Sequence, residues 1–186
     1  MIVRRSLLRW LWLLPLCGLF VFWNQKDTPQ LDNTDTIVIM KANFLFHFAA
    51  SNDWPEEAKV GSFRIGVVGN ERLVEELVDK YALKTIRQQV LEVIEIDAEK
   101  LKDRAPDPFC HVLYVEPGAA DLAKLEERLK GKPTLLVSHE AGAMDRGALI
   151  NFVTEANRLR YTINTEAAEK RNLLISSRIL SWAVEQ

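Results

Sequence analysis

The stretch SFRIGVVGNERLVEELVDKYAL, residues 62–83, changes its period in the middle, and that change decides the fold. Its first part is a short apolar run with branched Ile65, Val67 and Val68, closed by Gly69-Asn70. Length and flanks are those of a buried strand. From Glu71 the apolar positions become Leu73, Val74, Leu77, Val78 and Tyr81, one face of a helix with the charges opposite. A buried strand followed at once by an amphipathic helix is a βα step.

The step repeats downstream. QVLEVIEID (89–97) is a strand by length and branching, and FCHVLYVEP (109–117) is a second apolar run ending in Pro-Gly. Leu122, Leu125 and Leu129 then form a helical face that stops at Gly131, and PTLLVSHE (133–140) is another short run. Strands and helices alternating at this spacing predict a parallel sheet covered on both faces. The last third changes rhythm: runs at 148–154 and 158–164 flank Glu155-Ala156-Asn157, the spacing of a hairpin. Asn164-Thr165 caps a short helix TEAAEKRN, and Ser176 or Ser177 opens a final one, SSRILSWA. The expected fold class is α/β: a single three-layer α/β/α domain with a mostly parallel sheet and an antiparallel C-terminal hairpin.

Composition agrees with one soluble domain. Among 186 residues, 48% are hydrophobic and 27% charged, with 24 Lys+Arg against 26 Asp+Glu, so no basic surface asks for nucleic acid. The N-terminus stands apart. Arg4, Arg5 and Arg9 precede an uncharged run from Trp10 to Trp23, and polar residues follow. A basic start and a short apolar run have the pattern of a secretory signal. As a helix the run spans about 21 Å against a hydrocarbon core of about 30 Å. No small-x-small cleavage site follows it, so an uncleaved membrane anchor is the alternative. Residues 1–23 therefore read as a signal peptide or anchor, 24–36 as a flexible tether and 37–186 as the α/β domain, placed outside the cytoplasm. Without the first segment the charge is (24 − 3) − 26 = −5. Cys17 lies in that segment, which leaves Cys110 unpaired in the domain and expected to be buried and inert.

No catalytic constellation is legible. GVVGN lacks the G-x-G-x-x-G of a dinucleotide loop, and Gly131-Lys132 is followed by Pro133 instead of the Ser or Thr of a phosphate loop. His47, His111 and His139 have no Cys or His at ligand spacing. Ser138-His139-Glu140 has the residue types for nucleophilic work, but sequence neighbours point different ways, so a surface turn is expected. Glu75 and Glu76 belong to a solvated helix face. Neither cofactor nor metal is expected.

Seven blocks read in order resemble the YfiR family, also called HmsC-like. They are KANFLFHFA with WP (41–49, 54–55), FRIGVVG (63–69), CHVLYV (110–115), LLVS (135–138), GALINFV (147–153), YTIN (161–164) and SSRIL (176–180). The resemblance implies a periplasmic, non-catalytic regulator. It would hold down an inner-membrane diguanylate cyclase through that enzyme's periplasmic region, restrain cyclic di-GMP synthesis and biofilm output, and be sequestered by an OmpA-like outer-membrane lipoprotein. A homodimer is consistent with the family. Family members often carry a cysteine where Gly66 stands, paired with the one matching Cys110; here that bridge cannot form.

Phe44 and Phe48, four apart with Leu45 and Ala49 beside them, fit a helix from about Met40 that buries this set. Phe46 and Trp54 are then the exposed aromatics and the candidate partner interface. Asn151 and Arg178 are expected to be structural, since an Asn in a strand and the Ser-Ser before a helix commonly satisfy backbone groups. The alternative function is a periplasmic small-ligand sensor for a histidine kinase or transporter. Its candidate crevice lies at the strand ends, around Gly69-Asn70 and Glu116-Pro117-Gly118.

Overall fold

The computed structural model describes residues 33–156 and 158–184. The signal or anchor expected at 1–23 lies outside the described residues, as does most of the expected tether. No helix among the described residues is long and apolar enough to cross a membrane.

Seven strands form one sheet in the order β2-β3-β1-β4-β5-β6-β7. They are β1 (Phe63–Val68), β2 (Thr85–Ile86), β3 (Gln89–Ile96), β4 (Val112–Val115), β5 (Leu135–Ser138), β6 (Ile150–Glu155) and β7 (Arg158–Ile163). The central pairings β3-β1, β1-β4, β4-β5 and β5-β6 are parallel, and β6-β7 is antiparallel as the hairpin pattern predicts. Among the described residues five α-helices accompany the strands: α1 (Asn33–Ser51), α2 (Glu71–Tyr81), α3 (Leu122–Arg128), α4 (Thr165–Glu169) and α5 (Ser177–Leu180).

Both faces of β4 are buried, and its alternation assigns the layers. Val112 and Tyr114 join the core made by α1, α2, α4 and α5, while Leu113 and Val115 join Leu122, Leu125 and Leu129 of the α3 layer. A sheet covered on both faces is what continuous apolar strands require. The helix starts follow their caps. Asn70 Oδ1 accepts from the Leu73 N–H at 2.9 Å, Asn164 Oδ1 from the Ala167 N–H at 2.9 Å, and Ser176 Oγ from the Ile179 N–H at 3.3 Å.

Two features depart from the sequence reading. Helix α1 begins at Asn33 instead of near Met40, so residues 33–36, expected in the tether, form its first turn. The strand β2 was not expected. It pairs antiparallel with β3 through a two-residue turn in which Arg87 and Gln88 have φ of 46° and 74°. Those angles make a primed turn without the Asn-Gly pair that normally announces one.

Candidate functional site

Strand order places β1 between β3 and β4: the chain runs from β1 through α2 to β3 on one side, then crosses back past β1 to β4 on the other. The ends of β1 and β4 therefore flank a topological switch point, where crevices form in such sheets. Gly69 and Asn70 follow β1, and Glu116 and Gly118 follow β4. The structure brings these expected crevice residues together. Gly69 has φ of +76°, and a Cβ there would lie 2.5 Å from the Ala119 Cβ, so the close approach of the two loops needs glycine.

A buried polar network fills this crevice. Lys41, from the middle of α1 and 4% exposed, directs its Nζ at the Tyr114 hydroxyl (2.6 Å) and at Glu116 Oε2 (3.3 Å). Tyr114 donates onward to Glu116 Oε2 at 2.7 Å, and Asn70 Nδ2 donates to the same oxygen at 2.6 Å. Asn70 thus caps α2 with one end of its amide and holds Glu116 with the other. Burial pulls the Lys41 ammonium below the ordinary lysine range, against the opposing pull of Glu116. Burial works to raise the Glu116 carboxyl, but the hydrogen bonds from Asn70 and Tyr114 and the charge of Lys41 outweigh it and hold the group below its usual range. Burial also pushes the Tyr114 hydroxyl up, so it stays protonated and donating. His139 stands nearby, half-buried, its imidazole disfavoured as a cation by burial and by Lys41.

Chemically this is a closed arrangement. The cation, the hydroxyl and the amide all spend donors on one carboxylate, so the network ties α1 and α2 to the strand ends. Among the described residues no three His, Cys, Asp or Glu side chains converge as a metal-binding group. Across the sheet, between the turn at 98–101 and α3, lies a cavity of about 360 Å³. Ala98, Leu101, Ala119 and Leu125 give it an apolar lining, and Lys124 and Arg128 line it with charge.

The aromatic pair expected at a partner interface is not exposed as expected. Trp54 is only 4% exposed, its Nε1–H donating to the Pro133 carbonyl at 2.8 Å and its ring edge-on to Phe63. A polar loop surrounds it in sequence, but its ring packs inward against Phe63 and His111. Phe46 is half-buried and lies flat on Tyr81 with ring centroids 4.1 Å apart. Phe48 is buried, and Phe44 packs on Phe48, Phe152 and Tyr161.

The remaining candidates have structural placements. Cys110 is buried, and desolvation pushes its thiol up to about 12. A Cβ built on Gly66 would meet the Cys110 sulfur at 2.8 Å, so those two positions face each other. His111 is buried. Its Nδ1 accepts from the Arg64 N–H at 3.0 Å, which leaves Nε2 to donate to the Ala58 carbonyl at 2.7 Å and fixes a neutral tautomer. Ser138, expected in a surface turn, is instead buried at the end of β5 and donates to the Val115 carbonyl. Asn151 serves the backbone as expected, bonding both N–H and C=O of Glu140. Ser176 likewise serves the backbone through the Ile179 N–H, and the Arg178 guanidinium lies 5.9 Å from the centroid of the Trp182 ring.

Sequence reasoning placed Glu116 at the crevice but missed Lys41 and Tyr114. A signal was present, since Lys41 is the only Lys, Arg, Asp or Glu from Thr36 to Asn52.

Comparison with known proteins gives three findings. No curated protein matches the chain. The crystal structure of metB from Corynebacterium glutamicum is similar at 15% identity with a TM-score of 0.43, covering 72% of this chain and 38% of that one. The YfiR/HmsC-like family model matches residues 39–184. By that match across the whole sheet, the chain belongs to the YfiR/HmsC-like family.

Proposed function

We propose that this protein is an exported, non-catalytic regulator that restrains an inner-membrane diguanylate cyclase by binding its periplasmic region. The observation that carries this reading is the family match over residues 39–184. The closed network supports it: the polar groups at the switch point bind one another, so the crevice works as a brace for the helices. In this reading residues 1–23 direct export or tether the chain to the inner membrane, the domain acts in the periplasm, and an OmpA-like outer-membrane lipoprotein sequesters it. A homodimer is compatible with the same role. Deleting the gene in its host raises cyclic di-GMP and biofilm mass, and supplying the full chain again lowers both. Unchanged cyclic di-GMP in the deletion strain would refute the reading.

The cavity of about 360 Å³ favours a second reading, a sensor of small ligands serving a histidine kinase or transporter. Its volume lies in the range of small-molecule sites. Melting the full chain against amino acids and nucleotides separates the two, because a rise abolished by Leu125→Trp supports the sensor and no rise discards it.

A further inference from the structure

Strand β7 is the last of the sheet, and its outer edge carries an unusual grouping of side chains. Trp182, just beyond α5, is 46% exposed, and the Arg178 guanidinium lies over its ring at 5.9 Å. A groove of about 290 Å³ runs between Trp182 and Ser181 on one side and Phe44 and Arg160 on the other. Its floor is firm, since Phe44 rests on Phe48, Phe152 and Tyr161. Arg158 stands two residues from Arg160, on the same face of β7.

Charge is concentrated at this edge. Arg64, Arg72, Arg87, Arg146 and Arg171 each lie against a carboxylate, and Arg128 spends its guanidinium on the Leu101 and Lys102 carbonyls. Among the described residues Arg158, Arg160 and Arg178 form no such pair, although Glu155 stands opposite Arg158 in register. Three arginines without a carboxylate partner among the described residues thus stand beside an exposed tryptophan, in a chain whose net charge from residue 24 onward is (24 − 3) − 26 = −5. Tryptophan and arginine are also the side chains that dominate binding energy at protein interfaces.

We propose that this edge docks an acidic protein segment that places an apolar side chain between Trp182 and Phe44 and its carboxylates on Arg160 and Arg178. The proposal rests on the reading of the chain as a regulator acting through protein contacts, and it names the surface and the chemistry of the partner. The Val184 N–H already occupies the Tyr161 carbonyl at 2.9 Å, so the partner engages side chains here and does not extend the sheet at that residue. The recess favours an inserted side chain over a lipid surface, which protruding apolar groups would suit better.

The test uses the full chain in its native host, with the photo-crosslinking p-benzoylphenylalanine replacing Trp182, and with Leu83, 88% exposed ahead of the opposite sheet edge, as control position. Illumination at 182 is expected to join one protein segment rich in Asp and Glu, absent from the control. Arg160→Glu with Arg178→Glu lowers the adduct at least tenfold. If that variant fails to fold, Arg160→Ala with Arg178→Ala lowers it at least threefold. A lipid adduct, a neutral or basic segment, an adduct indifferent to the arginines, or no adduct from a chain that still lowers cyclic di-GMP overturns the proposal. An acidic adduct in a host whose cyclic di-GMP ignores deletion of the gene supports the surface and refutes the cyclase.

Discussion

Replacing Gly66 by cysteine should restore a covalent brace between β1 and the entry to β4. A Cβ at position 66 would sit 2.8 Å from the Cys110 sulfur, too close for unbonded atoms and suited to atoms joined through a shared disulfide. The bond would close a loop of 110 − 66 + 1 = 45 residues. Chain entropy then assigns the oxidised form about 4 kcal/mol at 25 °C. Against this stands crowding, because the same Cβ meets Ile96 Cδ1 at 2.6 Å and Leu113 Cδ1 at 3.1 Å. Overpacking of that kind costs about 1–3 kcal/mol. The net gain is about 1–3 kcal/mol, or a rise of roughly 2–12 °C in melting temperature for a domain of this size. The assay is a thermal melt of Gly66→Cys with and without reductant, alongside Gly66→Ala, which carries the crowding without the bond. Oxidised protein should melt above the parent, with reduced Gly66→Cys and Gly66→Ala below it. If the oxidised and reduced forms melt together, or Gly66→Ala melts with the parent, the packing deduced around Gly66 is wrong.

Three further outcomes follow from the buried polar groups and from Trp54. Lys41→Met leaves Glu116 without its cation and should cost about 2 kcal/mol in urea unfolding, below the 3–5 kcal/mol of a fully buried pair because Glu116 still reaches water. Amide exchange should then speed up in α1, and unchanged exchange would mean the network does not hold the helix. His111 and His139 both have pKa values depressed in the fold by burial, so below pH about 6.5 the unfolded chain binds more protons than the native one. Stability is therefore full above that pH and falls as pH drops toward the native values; a urea midpoint that stays flat from pH 7.5 to 5.5 contradicts this. Trp54→Phe removes the bond to the Pro133 carbonyl and should cost about 1 kcal/mol or more, while Trp54→Ala costs about 3–5 kcal/mol. Any loss of partner binding in Trp54→Ala should disappear in Trp54→Phe once folding is matched.

The alternating strands and helices were legible because β1 and β4 are short apolar runs closed by Gly-Asn or Pro-Gly, while α2 shows its face openly. The strand β2 was not, since its turn rests on Arg87 and Gln88 at positive φ, which no residue preference announces. The start of α1 was hidden by polar residues that read as tether. For the site, parallel strand ends pointed to Gly69, Asn70 and Gly118, but the groups that fill the crevice could not be paired from sequence. Lys41 finds Tyr114 and Glu116 at separations of 73 and 75 residues. Trp54 misled for the same reason. Its neighbours in sequence are polar, whereas its partner Pro133 is 79 residues away.

The end of α1 and the C-terminal segment close on one another. Asp53 and Leu174 exchange backbone bonds at 3.0 Å, Asn52 Oδ1 accepts from the Ser176 N–H at 3.0 Å, and Val184 reaches the edge of β7. During synthesis every strand emerges before α5 and Trp182, so the sheet can assemble while the groove beside Phe44 is still unmade. A chain stalled or clipped after Leu173 therefore keeps the strands but lacks one wall of that groove. Trimming the folded protein from its C-terminus and repeating the cross-link from an intact position such as Arg160 would reveal whether a protease can switch off docking without dismantling the domain.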